Sequence, residues 1–448
     1  MKNNIVRLLF TVFTGLFVTA YAHAQQVNSF TVQQAVDYAK QNSVQVKNAL
    51  LDYKIQEQTN REITATAYPQ LNGTGTFQNF INVPTSLIPA SFTGGAPGTF
   101  FPVRFGTKYN TSGGFDASQL LFDGQLFVGL KARSAALSFY TKQTEVTEEM
   151  ISVNVQKIYY QLVVGRQQMT SLDANIERFE KLLKDTKEIF KQGFAERLDV
   201  DKVTVQLNNL QTEKIKVQSQ LDAGNAGLKF LMNMPQKDSL VLTDSITEDK
   251  IKDKILTDDY KYEDRKEYQL LSIGKRLGEL NIKRYKMSNL PTIAAFGSFS
   301  KNALRQEFNF FKGGSEGPWY TTSLVGLKLN VPIFDGFARH ARIKKAKLEL
   351  EKTTNNLEQL TGAIDNDVVQ ARLKITAAVV TMDNQKKNMQ LAEQVYNTTK
   401  KKYEAGLGSN QEIYNAQAEL KVAQNNYYAA LYDAIIAKID YNKAIGKL

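Results

Sequence analysis

Apolar positions recur along much of the chain at alternating intervals of four and three. Ile151, Val155, Ile158, Leu162, Gly165, Met169, Leu172, Ile176, Phe179, Leu183, Thr186 and Phe190 keep this alternation without a break. Beyond Gly193 it resumes through Val200, Val203, Leu207, Leu210, Lys214, Val217, Leu221, Gly224, Leu228 and Leu231. The C-terminal stretch repeats it with smaller residues: Ile413, Ala416, Leu420, Ala423, Tyr427, Ala430, Ala434, Ala437, Tyr441 and Ala444. A sustained spacing of about 3.5 is the pattern of helices packed knobs into holes along a narrow seam. It predicts a helix from about 125 to 190 and another from about 198 to 232. At about 1.5 Å per residue the first spans about 100 Å, and the second about half that. One long helix then needs two shorter partners end to end, and the stretches 31–66 and 262–287 have suitable lengths. The Ala-rich seam permits closer approach than the Leu/Val seam, so the two hairpins should differ in spacing.

Elsewhere the period changes to two. Leu324 to Val331 alternates cleanly, with Val325, Leu327, Leu329 and Val331 opposite Gly326, Lys328 and Asn330. The segments 71–80, 111–122 and 292–300 are rich in Thr, Gly and Phe and complete a set of four strands. Strands of about ten residues, apolar outward and polar inward, fit an outer-membrane barrel. An antiparallel sheet over a soluble core has the same periodicity. Four strands do not close a barrel, because an open edge in lipid leaves backbone groups unpaired. Two chains would supply eight strands, and three would supply twelve, wide enough for a lumen. The stretches 79–109 and 301–320, full of Gly, Pro and Phe, read as extracellular loops.

The chain also repeats itself. Phe122-Asp123-Gly124 returns as Phe334-Asp335-Gly336, and the glycine turn at Gly193 returns at Gly406. Tyr68-Pro69 before the first strand answers Leu290-Pro291 before the third. The expected layout is a first repeat over 25–234, with strands at about 70–80 and 110–122 and a turn at about 191–197. A connector over 235–261 leads to a second repeat over 262–448, with strands at about 292–300 and 321–334 and a turn at about 404–410.

The N-terminus bears on destination. Lys2 and Arg7 precede an apolar run from Leu8 to Ala20, and Ala22-His23-Ala24 supplies a small-x-small cleavage pattern. Residues 1–24 therefore read as a secretory signal peptide, and the absence of Cys leaves no site for a lipid anchor. The same absence excludes disulfide scaffolds, thiol nucleophiles and Cys-ligated metals. His340 would be the one histidine of the mature chain, so a multi-His metal site is excluded. Asp365 and Asp367, two positions apart in a helix, point to different faces. No catalytic constellation is present, and no cofactor is expected. The 56 Lys and Arg exceed the 45 Asp and Glu, but the basic residues are interleaved with acids, which argues against nucleic acid.

These features together resemble the TolC family of outer-membrane efflux channels. The resemblance runs from Phe30-Thr-Val-Gln-Gln-Ala-Val-Asp-Tyr-Ala39 through Val331-Pro-Ile-Phe-Asp-Gly336 to Tyr403-Glu-Ala-Gly-Leu-Gly-Ser-Asn-Gln-Glu-Ile413, essentially the whole mature chain. It implies a mixed α/β membrane protein: a homotrimeric twelve-stranded β-barrel, four strands per chain, continuing into a long α-helical coiled-coil barrel. It further implies passive conduction in the outer-membrane lipid, with a periplasmic adaptor (a membrane fusion protein) and an inner-membrane pump as partners. The family's adaptor-contacting tips map onto Gly193, Phe194, Arg197 and Asp199, and onto Gly406, Leu407, Gly408 and Ser409. A glycine at each helix end suits a C′ position, and Asp199 or Ser409 is placed to cap the returning helix. Near the tip, where many members carry an acidic constriction, this chain has the basic segment 397–403, with Glu393 the nearest upstream acid. Glu393 and Lys400 are the candidate entrance-lining charges; lysines that face the lumen would favour anions, and lysines that face outward form a solvated surface. A stand-alone outer-membrane channel or a coiled-coil surface protein are the alternatives. A passive porin needs no long helices, and a coiled-coil protein leaves the strands unexplained.

Overall fold

The structure, a computed structural model, describes residues 27–246, 248–252, 259–312 and 317–448. The expected signal peptide at 1–24 and residues 253–258 of the expected connector lie outside the described residues. In chain order the elements are β1 (Val27–Phe30), α1 (Val32–Asn42), α2 (Val44–Ala65), β2 (Gln70–Asn79), β3 (Thr85–Pro89), β4 (Phe100–Arg104) and β5 (Tyr109–Phe122). Then come α3 (Gly124–Lys191), α4 (Arg197–Met232), β6 (Ser239–Leu242), α5 (Glu248–Lys252) and α6 (Lys266–Met287). The chain ends with β7 (Thr292–Arg305), β8 (Tyr320–Asn330), α7 (Ala338–Glu404) and α8 (Asn410–Ala444). Two compact units form, and each collects segments from both halves of the chain.

One unit takes the described residues up to Asp52 together with those of 141–270 and 357–448, and it is mainly helical. Ile151, Val155, Leu162, Leu172 and Phe179 of α3 are buried with Val203, Leu207, Leu210, Leu221 and Leu228 of α4 in one apolar cluster. Two glycines on the seam make this close approach possible. A Cβ on Gly165 would stand 2.9 Å from Leu221 Cδ2, and one on Gly224 2.8 Å from Leu162 Cδ2. Lys214, a seam position by periodicity, is exposed instead, and its Nζ lies 2.7 Å from Asp173. The seam of α8 is buried at every expected position except Ala423, which is half-buried.

Two features of this unit depart from the sequence expectation. The helix expected over 31–66 breaks at Ser43, whose extended backbone separates α1 from α2 and whose Oγ accepts from Val46 N–H at 3.3 Å. The stretch expected to be a connector contains β6, which pairs in parallel with β1 from Val27–Ser239 to Phe30–Leu242. Four-residue strands carry too short an alternation to stand out from a polar segment. A clasp holds this pair: the buried Tyr159 hydroxyl donates to the Phe30 carbonyl (2.8 Å) and accepts from Asp244 N–H (3.2 Å). The Asp244 carboxylate in turn accepts from Val32 N–H (2.6 Å). Burial pushes the Tyr159 hydroxyl up to about 12. Asp365 and Asp367 each have separate structural partners. Asp365 accepts from the hydroxyls of Tyr260 (2.6 Å) and Tyr262 (2.9 Å), and Asp367 lies 3.9 Å from the buried Arg265.

The other unit, Tyr53–Tyr140 with Leu271–Asn356, carries a four-stranded antiparallel sheet in the order β2-β5-β7-β8. The register puts Leu71, Phe77, Tyr109, Phe115, Ala117, Ile293, Phe299, Val325, Leu327 and Leu329 on one face. Asn72, Thr74, Thr76, Asn110, Ser112, Asp116, Ser298, Ser300, Asn302 and Lys328 share the other. Phe296, on the polar face, covers its cross-strand partner Gly326, where a Cβ would come within 2.8 Å of the ring. Strand β7 runs five residues further than its sequence pattern, to Arg305, and β8 stops at Asn330 before Pro332. The long stretch 79–109 is not all loop: β3 and β4 form a hairpin within it. The two FDG segments start helices. Asp123 Oδ1 accepts from Gln125 N–H (2.7 Å), and Asp335 Oδ2 from Arg339 N–H (2.9 Å). Among the described residues no helix is long and apolar enough to cross a membrane.

Candidate functional site at the two helix turns

The turns that follow α3 and α7 are built alike. At the first, Gly193 N–H donates to the Phe190 carbonyl (2.9 Å) and Phe194 N–H to the Ile189 carbonyl (3.0 Å). At the second, Gly406 N–H donates to Tyr403 (2.9 Å) and Leu407 N–H to Lys402 (2.9 Å). Both are Schellman motifs, and both need a left-handed residue at C′. Gly193 (φ +81°) and Gly406 (φ +73°) supply it. The residue after each glycine is then thrown outward, so Phe194 is 84% and Leu407 79% exposed. Gly408 follows where a Cβ would stand 3.2 Å from Tyr403 N, which keeps the second turn tight.

The returning helices are capped differently. Ser409 is the N-cap of α8, and its Oγ accepts from Glu412 N–H at 3.2 Å. Asp199 is not the cap of α4, contrary to the sequence expectation. Glu196 holds that position, and Asp199, one turn in, accepts from Glu196 N–H at 3.2 Å. The helix begins three residues earlier than a cap at Asp199 requires because the Schellman turn closes by Phe194. Arg197 is exposed, with Asp201 3.7 Å away on the same helix. A pair so solvated contributes little, which leaves the guanidinium available to a partner.

The structure brings the two turns side by side. The Tyr414 hydroxyl donates to the Asp199 carbonyl (3.1 Å), and Lys202 Nζ to Gln411 Oε1 (3.4 Å). Val203, Ile413, Tyr414 and Ala416 are buried in the same apolar cluster beneath them, and burial raises the Tyr414 hydroxyl. Phe194, Arg197 and Leu407 thus stand on one rigid base. The candidate entrance charges do not join them. Lys400 reaches Glu404 within its own helix at 3.8 Å, and Glu393 is exposed without an ion pair among the described residues.

A polar layer above the turns was missed by the search for apolar periodicity. Asn175, 2% exposed, donates to Gln424 Oε1 (2.8 Å), and its Oδ1 accepts from Arg178 Nη1 (3.2 Å) and Gln417 Nε2 (3.1 Å). The Arg178 guanidinium also lies 5.6 Å from the centre of the Tyr396 ring. Higher on the same stripe, Ser171 shares a hydrogen with the Tyr428 hydroxyl (2.5 Å) and Gln168 donates to Asn425 Oδ1 (3.4 Å). Gln168, Ser171, Asn175 and Arg178 are themselves spaced three and four apart. A second, polar seam facing α8 was therefore readable in the sequence, had polar as well as apolar periodicity been followed.

Comparison with known proteins agrees with this architecture. A family model described as outer membrane efflux protein matches residues 280–447. The outer membrane protein TolC of Vibrio cholerae is 20% identical over 351 residues, 75% of this chain and 77% of that protein. The alkaline protease secretion protein AprF of Pseudomonas aeruginosa is 21% identical over 71% of this chain and 66% of its own length. Among solved structures, VceC of Vibrio cholerae superposes with a TM-score of 0.70 at 12% identity, covering 93% of this chain and 96% of VceC. CusC gives 0.73 at 16% identity, with 95% of each chain covered. The fold is that of these solved outer-membrane proteins. The C-terminal part of the chain, residues 280–447, thus matches the outer membrane efflux protein family, and most of the chain is similar to TolC.

Proposed function

We propose that the protein is the outer-membrane exit duct of a tripartite efflux or type I-like secretion system. The observation that carries this reading is the sheet: one face apolar, the other polar, and two edge strands, β2 and β8, without a neighbour among the described residues. An amphipathic sheet with two open edges is stable in lipid only when closed. Three copies joined β2 to β8 give a twelve-stranded barrel with the polar face lining a lumen. The helices α3, α4, α7 and α8 then form a tunnel in the periplasm, reached after removal of the signal peptide over 1–24 and without a lipid anchor. An inner-membrane pump loads the tunnel through a periplasmic adaptor, which docks on Phe194, Arg197 and Leu407 at the paired turns. Conduction is passive, and the two sequence repeats supply quasi-equivalent docking positions around the ring.

The natural chain has no cysteine, so introduced pairs act without background. Cysteines placed singly on β2 (Thr74→Cys) and β8 (Thr322→Cys), with flanking positions scanned for register, should give a covalent ring of three chains on oxidation. Exclusive dimers, or no cross-link at any register, would refute the closed barrel.

A further inference from the structure

We propose that the apolar face of the sheet, at the end away from the helices, binds the phosphorylated headgroup of an outer-leaflet glycolipid. Register puts Arg305 opposite Tyr109, Lys301 opposite Gly113 and Thr111 opposite Phe77, all on the apolar face. Arg305 is 5% exposed; its Nη1 donates to the Leu304 carbonyl (3.2 Å), while Nε and Nη2 are buried without a partner. A guanidinium does not shed its proton, so a full charge lies buried there without a counter-ion among the described residues. Its neighbour Glu307 makes no ion pair with it among the described residues. The Thr111 hydroxyl and the Asn309 carbonyl oxygen at the same end are also buried and unpaired.

The surroundings say what would complete these groups. Phe77, Tyr109, Phe308 and Phe310 form a cluster of rings with centroids 5.5–6.3 Å apart. Such rings collect where hydrocarbon meets headgroups. Lys108 Nζ stands 5.4 Å from the Tyr109 ring, and Lys301 is exposed. The free Nε and Nη2 of Arg305 form a two-donor fork that fits phosphate oxygens, and the unpaired hydroxyl and amide oxygens suit the hydroxyls of a sugar. Acyl chains then lie against Phe115 and Phe299, further along the same face. The inference rests on the membrane-spanning reading of the sheet.

The test uses the full protein in dodecyl maltoside micelles and native mass spectrometry. The probes are bisphosphorylated lipid A, its dephosphorylated form and inorganic phosphate. The phosphorylated lipid should be retained about tenfold better than the dephosphorylated form, and Arg305→Gln should remove that preference. Lys301→Gln, at an exposed position that leaves folding intact, should weaken it several-fold. Equal retention of the two lipids by the unaltered protein would overturn the proposal, as would unchanged selectivity in both variants or displacement by millimolar inorganic phosphate. Fractionation of the unaltered protein with outer membranes is scored separately. Its failure would sink the membrane reading, whereas normal fractionation without lipid preference would sink this inference alone.

Discussion

Replacing Tyr159 by Phe removes one oxygen from the centre of the helical unit and tests how β1 and β6 are held. The hydroxyl is fully buried and bridges the Phe30 carbonyl and Asp244 N–H. The Phe30 carbonyl keeps a second donor, Thr243 N–H at 3.0 Å, so its loss is one hydrogen bond. Asp244 N–H loses the hydroxyl oxygen that it donates to. One net bond plus one orphaned donor costs about 2–3 kcal/mol. Hydrogen exchange at the β1 and β6 amides should therefore speed up about 30- to 140-fold, at about 1.4 kcal/mol per decade. The pH dependence has a definite sign. Burial raises the hydroxyl from its ordinary 10.0 to about 12, so its contribution is complete below about pH 10 and lost as pH rises towards 12. Tyr159→Phe should lack that alkaline step. Exchange within threefold of the unaltered protein would show that the clasp does not hold the strands.

Four other substitutions probe three separate parts of the molecule. Leu407→Asp or Phe194→Asp should weaken adaptor binding at least tenfold in a pull-down titration while leaving detergent mass and thermal stability unchanged; unaltered binding in the double variant would exclude the turns as the docking site. Gly165→Val drives a branched side chain at Leu221 across the α3–α4 seam and should cost about 1–3 kcal/mol in denaturant titration. The buried Glu149, 3.5 Å from Lys266, has its carboxyl raised above 4.5, chiefly by burial, which outweighs the lysine. The fold thus favours the neutral form more than the unfolded chain does, and that contribution is lost as pH rises through the raised value. Glu149→Gln should therefore raise the melting temperature at pH 7 and leave it unchanged at pH 4, and a lower melting temperature at pH 7 would contradict this.

The long helices were legible because a narrow apolar seam repeats many times. The observed α3, Gly124–Lys191, differs by one residue at each end from the expected 125–190, of which the heptads mark the part from Ile151 to Phe190. The strands were legible where alternation was clean, as in Val325, Leu327 and Leu329. Their ends were not, since the bonds that extend β7 to Arg305 are made with β5, a segment far away in sequence. Nor was the break at Ser43, because both flanking segments favour helix and the interruption turns on one residue's backbone. At the turns, Gly193 and Gly406 announced themselves, but the choice between Glu196 and Asp199 as cap depended on how quickly the Schellman motif closes. The polar seam through Asn175 went unread because buried amides carry no apolar signature.

The central claim is that the open-edged sheet closes between three copies. The direct measurement is the mass of the protein, extracted from outer membranes in mild detergent, by light scattering corrected for bound detergent. The account predicts a single species of three chains. A monomer or dimer that remains in solution after detergent is removed would contradict the barrel, and with it the export function.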